Sequence, residues 1–75
     1  MMDIIEACDG KKYRVMSEAV EGLRKYEIQV FAFDDETGEI GETALYRKGC
    51  LFDWEMSVFH RHICEHLEGY IGDAE

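Results

Sequence analysis

Apolar and polar side chains alternate along most of the first two thirds of the chain, which is the pattern of strands that bury one face. The clearest run covers residues 26–33, where β-branched and aromatic residues dominate. Shorter runs cover residues 4–8, 11–21 and 39–47. We therefore predict four strands, and the short segments between them favour an antiparallel meander.

Two of the predicted turns contain a glycine where a turn favours a positive φ. Asp9-Gly10 separates the first two runs, and Asp-Gly at such a place is a strong signal for a two-residue hairpin. Residues 34–38 end in Gly38, which is typical of a type I turn followed by a left-handed residue. Gly41 indicates a bulge inside the fourth predicted strand.

The end of the second predicted strand has two interpretations. If residues 11–21 are extended, Tyr13 and Ser17 lie on the same side of the sheet. Alternatively, Ser17 is the N-cap of a short helix, which Gly22 would limit to about a turn or two. Both interpretations place a turn at residues 22–25.

The spacing of apolar residues changes after Gly49 to steps of three and four, which describe one face of an α-helix. Asp53 is a suitable N-cap and Gly69 a suitable C′ residue, so the predicted helix runs from Trp54 to Glu68. Its apolar stripe consists of Phe52, Met56, Phe59, Ile63, Leu67 and Tyr70.

These elements predict a single domain over residues 1–75 of the α+β class. It is a four-stranded antiparallel β-meander with one C-terminal α-helix packed on one face (ββββα). One helix covers only one face of the sheet. If that face includes Ile28 and Val30, an apolar patch on the other face marks an interface, and we expect a homodimer. The expected self-association residues are Phe31, Phe33 and, depending on register, Leu45.

The composition adds a strong negative charge to this domain. The chain has 17 acidic and 8 basic residues, which gives a formal net charge of −9. Phosphate contacts need a basic face, so we expect no direct binding of nucleic acid. No apolar run approaches the ~20 residues of a membrane helix. The acidic start of the chain is unlike a secretory signal, so we expect a cytoplasmic protein without membrane contact.

In a meander, the turns would also place acidic and basic residues at opposite ends of the sheet. The first and third turns would lie at one end of the sheet, and the opposite end would collect Arg24, Lys25, Arg47 and Lys48. Such a dipole steers basic partners to the acidic end, whereas the simpler interpretation is that charged turns only maintain solubility. We expect the acidic residues of the third turn and fourth strand to bind a protein partner: Asp34, Asp35, Glu36, Glu39 and Glu42.

Four histidine and cysteine residues recur at every second position near the end of the chain. On a strand they would share one side and could bind zinc or copper. On the predicted helix they separate into the pairs His60/Cys64 and His62/His66, and neither pair completes a metal site. The simpler interpretation places Cys64 in the core and the histidines at the boundary or surface. We therefore expect neither a metal nor another cofactor.

The cysteines do not indicate catalysis or cross-linking. Cys8, Cys50 and Cys64 are odd in number and lack a CxxC spacing, so we expect reduced thiols. A Cys-His nucleophile would lack a visible orienting group and an oxyanion-hole turn, and so small a domain offers little concave pocket. Enzymatic activity is therefore not expected.

These observations favour a non-enzymatic, acidic protein-binding domain. The most specific version of this hypothesis is an inhibitor or decoy. Its carboxylates would occupy a groove that binds phosphates in nucleic-acid-handling machinery. Phages and mobile elements use proteins of this type against restriction or CRISPR systems, which is an analogy of class and not a family match. Two alternatives stay open: a homodimeric structural or adaptor module, and a metal-binding protein that uses the His/Cys helix.

Overall fold

The computed structural model describes residues 1–20, 22 and 25–71. Within this part of the chain, five strands precede two helices. They are β1 (Met2–Glu6), β2 (Lys12–Ala19), β3 (Tyr26–Asp34), β4 (Glu39–Ile40), β5 (Tyr46–Cys50), α1 (Asp53–Glu65) and α2 (Leu67–Ile71). The predicted α+β class, an antiparallel sheet with C-terminal helix packed on it, is confirmed.

The strands form one antiparallel sheet with β3 at its centre. β1 pairs with β2, and every residue of β2 has a partner in β3. Both β4 and β5 pair with the other edge of β3. The fourth predicted strand, residues 39–47, is therefore present as two short strands along one edge.

A large bulge with three extra residues separates these two short strands. Phe33 lies opposite Ile40 and Val30 lies opposite Tyr46, so three steps along β3 (33 − 30) correspond to six on the other side (46 − 40). The bulge begins at Gly41, where the sequence indicated one. A Cβ at residue 41 would lie 3.4 Å from the Ala32 Cβ, which is an ordinary van der Waals contact, so the packing against Ala32 does not by itself require glycine.

The second predicted strand is extended as far as Ala19, which supports the strand interpretation over the short helix. The amide of Ser17 donates a hydrogen bond to the carbonyl of Met1 at 2.8 Å, which anchors the start of the chain to β2. Glu21, Leu23 and Arg24 lie outside the described residues. The predicted end of this strand, and Arg24 as part of a basic end, are therefore not described.

The predicted single helix, residues 54–68, is two helices that meet at His66. The backbone of His66 has φ −130°, and its amide donates to the carbonyl of His62 at 2.9 Å. The break lets Leu67 stay buried and brings the ring of Tyr70 to 4.8 Å from that of Tyr46. Gly69 therefore lies inside α2 and does not end the helix.

The start of the helix also differs by one residue from the prediction. Asp53 is the first helical residue, and Phe52 occupies the N-cap position without a side-chain capping bond. Phe52 is 55% exposed and stacks on the exposed ring of Trp54. The first residue of the predicted apolar stripe therefore lies outside the core.

The core lies between the helices and one face of the sheet. Ile28 and Val30 are fully buried there together with Ile63, as expected if the helix covers their side of β3. The buried apolar residues of the described chain are Ala7, Tyr13, Val15, Ile28, Val30, Cys50, Ile63 and Leu67. Among the described helices, none has the length and apolar character needed to cross a membrane.

Candidate functional site

Short polar side chains shape the hairpin that joins β3 to β4. The amide of Gly38 donates to the carbonyl of Asp34 at 2.7 Å, with Gly38 at φ 78°. The Asp34 carboxylate accepts the amide of Glu36 at 3.0 Å, and the Thr37 hydroxyl accepts the amide of Glu39 at 3.2 Å. Such local bonds are what Asp and Thr side chains offer in turns, so the acidic turn is well defined.

Two acidic residues are cross-strand partners where this hairpin begins. The register pairs Asp34 directly with Glu39, and both residues are exposed. Like charges directly opposite each other destabilise an antiparallel pair. The hairpin therefore carries an electrostatic cost that folding alone does not require.

A lysine from the neighbouring strand compensates part of the negative charge. The Lys12 Nζ lies 2.6 Å from Asp35 Oδ2. The hydrogen bond from Lys12, together with its positive charge, lowers the pKa of Asp35 below its ordinary value. The same contact raises the pKa of Lys12. It also shows that the first and third turns lie at the same end of the sheet, as a meander requires.

All five predicted partner-binding residues lie in one continuous, exposed segment. Asp34 ends β3, Asp35 and Glu36 form the turn, Glu39 lies in β4, and Glu42 lies in the bulge. No basic residue occurs between Asp34 and Glu42. We call residues 34–42 the acidic hairpin.

Among the three predicted self-association residues, Phe33 shares a face of the sheet with Phe31 and a groove with Leu45. Phe31 and Phe33 share the face of β3 opposite Ile28 and Val30, and both are half-buried. Leu45 is 49% exposed and lines a groove of about 390 Å³ beside the acidic hairpin. Phe33 also lines this groove, whereas Phe31 does not.

The face of the sheet opposite the helices has an arginine near its middle. Arg14 lies between Ile4 and Phe31 in the register, and its Nη2 donates to the Met16 sulfur at 3.3 Å. Its Nε is buried without a hydrogen-bond partner, alone among the buried side-chain polar atoms of the described residues. At one end of the same face, Glu18 lies directly opposite Glu27. This open face therefore holds an unsatisfied cation and a second pair of opposed carboxylates.

His60 occupies a position that the sequence did not predict. It is 2% exposed, so the expectation of a boundary or surface histidine was wrong for this residue. Its Nδ1 is hydrogen-bonded to the hydroxyl of Ser17, and its Nε2 lies 2.7 Å from Asp3 Oδ2. Because a carboxylate only accepts, the ring donates from Nε2 to Asp3, and Nδ1 shares its hydrogen bond with the Ser17 hydroxyl.

The order Ser17–His60–Asp3 resembles a catalytic triad, but the ring nitrogens are exchanged, since Nδ1 contacts the hydroxyl and Nε2 the carboxylate. The surroundings are also not those of a nucleophile. Ser17 is 3% exposed at the interface between sheet and helix, so a substrate cannot approach its hydroxyl. The three side chains instead join β1, β2 and α1 through buried polar contacts. Ser17 at an inward position of a strand was the one sequence signal that could have indicated a polar partner on the helix.

The other members of the His/Cys motif separate as the helix predicts. Cys64 lies one turn after His60 and is half-buried, with its sulfur 4.0 Å from Asp3 Oδ2. On the other flank, the rings of His62 and His66 lie 4.5 Å apart, and both residues are exposed. The Nδ1 of His62 is hydrogen-bonded to the Tyr70 hydroxyl at 2.6 Å. The structure therefore brings His60 and Cys64 together with Asp3, but not with His62 and His66.

The three thiols are poor nucleophiles in this fold. Burial raises the pKa of both Cys50 and Cys64, and nearby carboxylates raise each further. The pKa of Cys8 is raised mainly by its hydrogen bond with Glu68. Since the thiolate is the reactive form, none of the three environments activates its thiol.

No known protein family, curated protein or solved structure matches this chain.

Proposed function

We propose that this chain is a non-enzymatic, cytoplasmic protein-binding domain that uses the acidic hairpin to bind a basic partner. In its sharpest form it is an inhibitor that occupies the phosphate-binding groove of a nucleic-acid-handling protein. The observation that carries the proposal is the direct opposition of Asp34 and Glu39. Repulsion between these carboxylates costs stability in the free protein, and a cationic partner removes it on binding.

The charge of the whole chain supports the same conclusion. A net charge of −9 attracts basic surfaces over a distance and increases their rate of association. Within the hairpin, Lys12 contacts only Asp35, so Glu36, Glu39 and Glu42 present exposed carboxylates from one short segment. A groove that binds successive phosphates of a nucleic acid offers cations to such a segment.

The experiment is capture of partners from a cell lysate on the immobilised full chain, washed at increasing salt. The test variant is Glu36→Lys/Glu39→Lys. The control, Glu18→Lys/Glu65→Lys, changes the net charge equally but away from the hairpin. We expect a nucleic-acid-handling protein to be retained by wild type and control, lost by the hairpin variant, and released as salt rises. Equal capture by all three proteins would overturn the proposal.

A second candidate function is a homodimeric structural or adaptor module, and the open face of the sheet favours it. Arg14 has an unsatisfied Nε there, and Glu18 opposes Glu27 on the same face. Along β2, Arg14 and Glu18 are separated by four residues, or roughly 13 Å. In a two-fold dimer through this face, Arg14 of each copy would meet the glutamates of the other, and Phe31 and Phe33 would be covered.

Oligomer mass tests this candidate. Arg14→Glu and Glu27→Arg should each reduce the mass measured by light scattering to that of a monomer, and the double charge swap should restore the dimer. Phe31→Asp and Phe33→Glu should also give monomers. A monomeric wild-type protein at high concentration would overturn the candidate, as would dimers of unchanged mass in these variants.

A further inference from the structure

We propose that Asp3, His60 and Cys64 form a binding site for a zinc-like divalent ion, with Ser17 orienting the histidine. Their three ligand atoms, Asp3 Oδ2, His60 Nε2 and Cys64 Sγ, all lie within 4.8 Å of one another. They come from both ends of the chain, and the sheet and α1 bring them together. The acidic hairpin plays no part in this site, so the inference is independent of the proposed function.

The spacing on α1 gives two of the ligands. His60 and Cys64 are separated by one helical turn, so their side chains project from the same face. Asp3 lies in β1, its carboxylate reaches His60 of α1 at 2.7 Å, and it is 51% exposed. An exposed carboxylate next to two side chains fixed by a helix can adjust its position to a bound ion.

The histidine is already held in the orientation that a ligand needs. Its Nδ1 is occupied by Ser17, and this leaves Nε2 directed at Asp3. Histidine ligands commonly use their second ring nitrogen in this way, since that bond fixes both ring orientation and tautomer. With an ion on Nε2, the proton moves to Nδ1, and Nδ1–H then donates to the Ser17 hydroxyl oxygen.

The distances require small movements of side chains. With metal–ligand bonds of about 2.0–2.3 Å, tetrahedral N, O and S ligands lie roughly 3.3–3.6 Å apart. The 2.7 Å separation of His60 Nε2 and Asp3 Oδ2 must widen, and the 4.0 Å separation of Asp3 Oδ2 and Cys64 Sγ must shorten. The first change is about 0.6–0.9 Å and the second about 0.4–0.7 Å, which a rotation of the exposed Asp3 carboxylate can supply. The His60 Nε2 and Cys64 Sγ atoms lie within 4.8 Å of each other, so a rotation of the half-buried Cys64 side chain must bring the sulfur closer.

Space for a fourth ligand lies directly over these atoms. A groove of about 490 Å³ is lined by all three ligands, so a water molecule can complete the coordination. The donor set contains one nitrogen, one oxygen and one sulfur, which suits Zn²⁺ and its spectroscopic substitute Co²⁺ better than Mg²⁺ or Ca²⁺. Arg61 also lines the groove, and its positive charge opposes the binding of a cation.

Binding of the ion displaces protons from its ligands. The Cys64 thiol loses its proton to solvent when sulfur binds the ion, and the proton on His60 Nε2 must leave that nitrogen. Binding therefore releases at least one proton per ion. Burial and the charges of Asp3 and Glu65 keep the free thiol protonated, and the same two carboxylates attract the cation.

The experiment is a titration of the reduced, metal-free full chain with Co²⁺, followed by Zn²⁺ competition. We expect a near-ultraviolet thiolate-to-cobalt charge-transfer band, visible bands of tetrahedral intensity, and loss of both when Zn²⁺ is added. Cys64→Ser should abolish the charge-transfer band, whereas Cys8→Ser and His62→Gln/His66→Gln should retain it. If Cys64→Ser fails to fold, Asp3→Asn tests another of the three ligands. This variant keeps a hydrogen-bond acceptor for His60.

Two further variants separate this site from adventitious binding. Ser17→Ala should weaken the affinity for Zn²⁺ about 10–100-fold, because the ring loses its orienting partner. Arg61→Gln should strengthen it, because a repelling charge is removed. The proposal is overturned if millimolar Co²⁺ gives no charge-transfer band. It is also overturned if the band survives Cys64→Ser, or if Arg61→Gln and Ser17→Ala leave the affinity unchanged.

Discussion

Asp34 and Glu39 are cross-strand partners at the base of the acidic hairpin, so two exposed acidic residues lie opposite each other in β3 and β4. The turn beyond them is built by bonds from Asp34 and Thr37 to backbone amides, none of which needs the Glu39 side chain. The Glu39 carboxylate is therefore a candidate for function and not for folding. Our first prediction follows from this separation.

Replacing Glu39 by lysine should stabilise the free protein. The substitution turns a repulsive cross-strand pair into an attractive one, and such pairs contribute about 0.2–1 kcal/mol. Urea denaturation should show a higher midpoint at unchanged slope, with Glu39→Gln giving a smaller gain. A lower midpoint for Glu39→Lys would mean that the glutamate has a structural role.

The buried contact between Ser17 and His60 should contribute substantially to stability. Ser17→Ala leaves the Nδ1 of His60 without a partner inside the core, which costs about 1–3 kcal/mol. In a double-mutant cycle with His60→Phe, the two substitutions should be strongly non-additive in the free energy of unfolding. Additive effects would show that the two side chains do not interact.

Acid should weaken the link between Glu68 and the first turn. The Glu68 carboxylate accepts the Cys8 amide at 2.8 Å, and its hydrogen bonds with Cys8 lower the pKa of Glu68 below the ordinary 4.5. A depressed carboxyl pKa adds stability above the ordinary value, and this contribution is lost as pH falls through the folded pKa.

Denaturation of wild type and Glu68→Gln across this pH range measures the effect. Wild type should be the more stable protein at neutral pH, and the difference should vanish in acid. A difference that stays constant with pH would exclude the ionised carboxylate as its cause.

The three thiols should differ in their reaction with iodoacetamide. Cys8 is exposed, whereas Cys50 is 2% exposed. All three have raised pKa values, so each should react slowly at neutral pH and faster as pH rises. Peptide mass mapping of the folded protein should show modification of Cys8 first and protection of Cys50. Rapid modification of Cys50 would contradict the described core.

The sequence predicted those parts of the fold that depend on local pattern. The β-branched run of β3 and the apolar stripe around Ile63 each depend on neighbours near in sequence. The turn at Asp9-Gly10 was predicted at the right place but with the wrong length. The Ala7 amide donates to the Lys11 carbonyl at 2.9 Å, so the loop has three residues, 8–10, with Gly10 at φ 83°. The break at His66 was not predictable, because it arises where Leu67 and Tyr70 pack against the sheet. The width of the bulge after Gly41 depends likewise on pairing with β3.

The candidate sites also depend on contacts between residues that are distant in sequence, so the sequence predicted them only in part. The acidic hairpin was visible as a run of charges, but its opposed carboxylates became visible only through the register of β3 and β4. Asp3, Ser17 and His60 are separated by 14 to 57 residues in sequence, so no spacing rule could join them. The unsatisfied Nε of Arg14 likewise depends on how the open face packs.

The most direct test of the acidic hairpin is a competition between duplex DNA and this chain for the captured partner. We expect the wild-type chain to displace labelled DNA from the partner, and the control Glu18→Lys/Glu65→Lys to do the same. Glu36→Lys/Glu39→Lys should leave the DNA bound. A ternary complex of partner, DNA and chain would contradict the account, as would displacement of DNA by the hairpin variant at wild-type concentration.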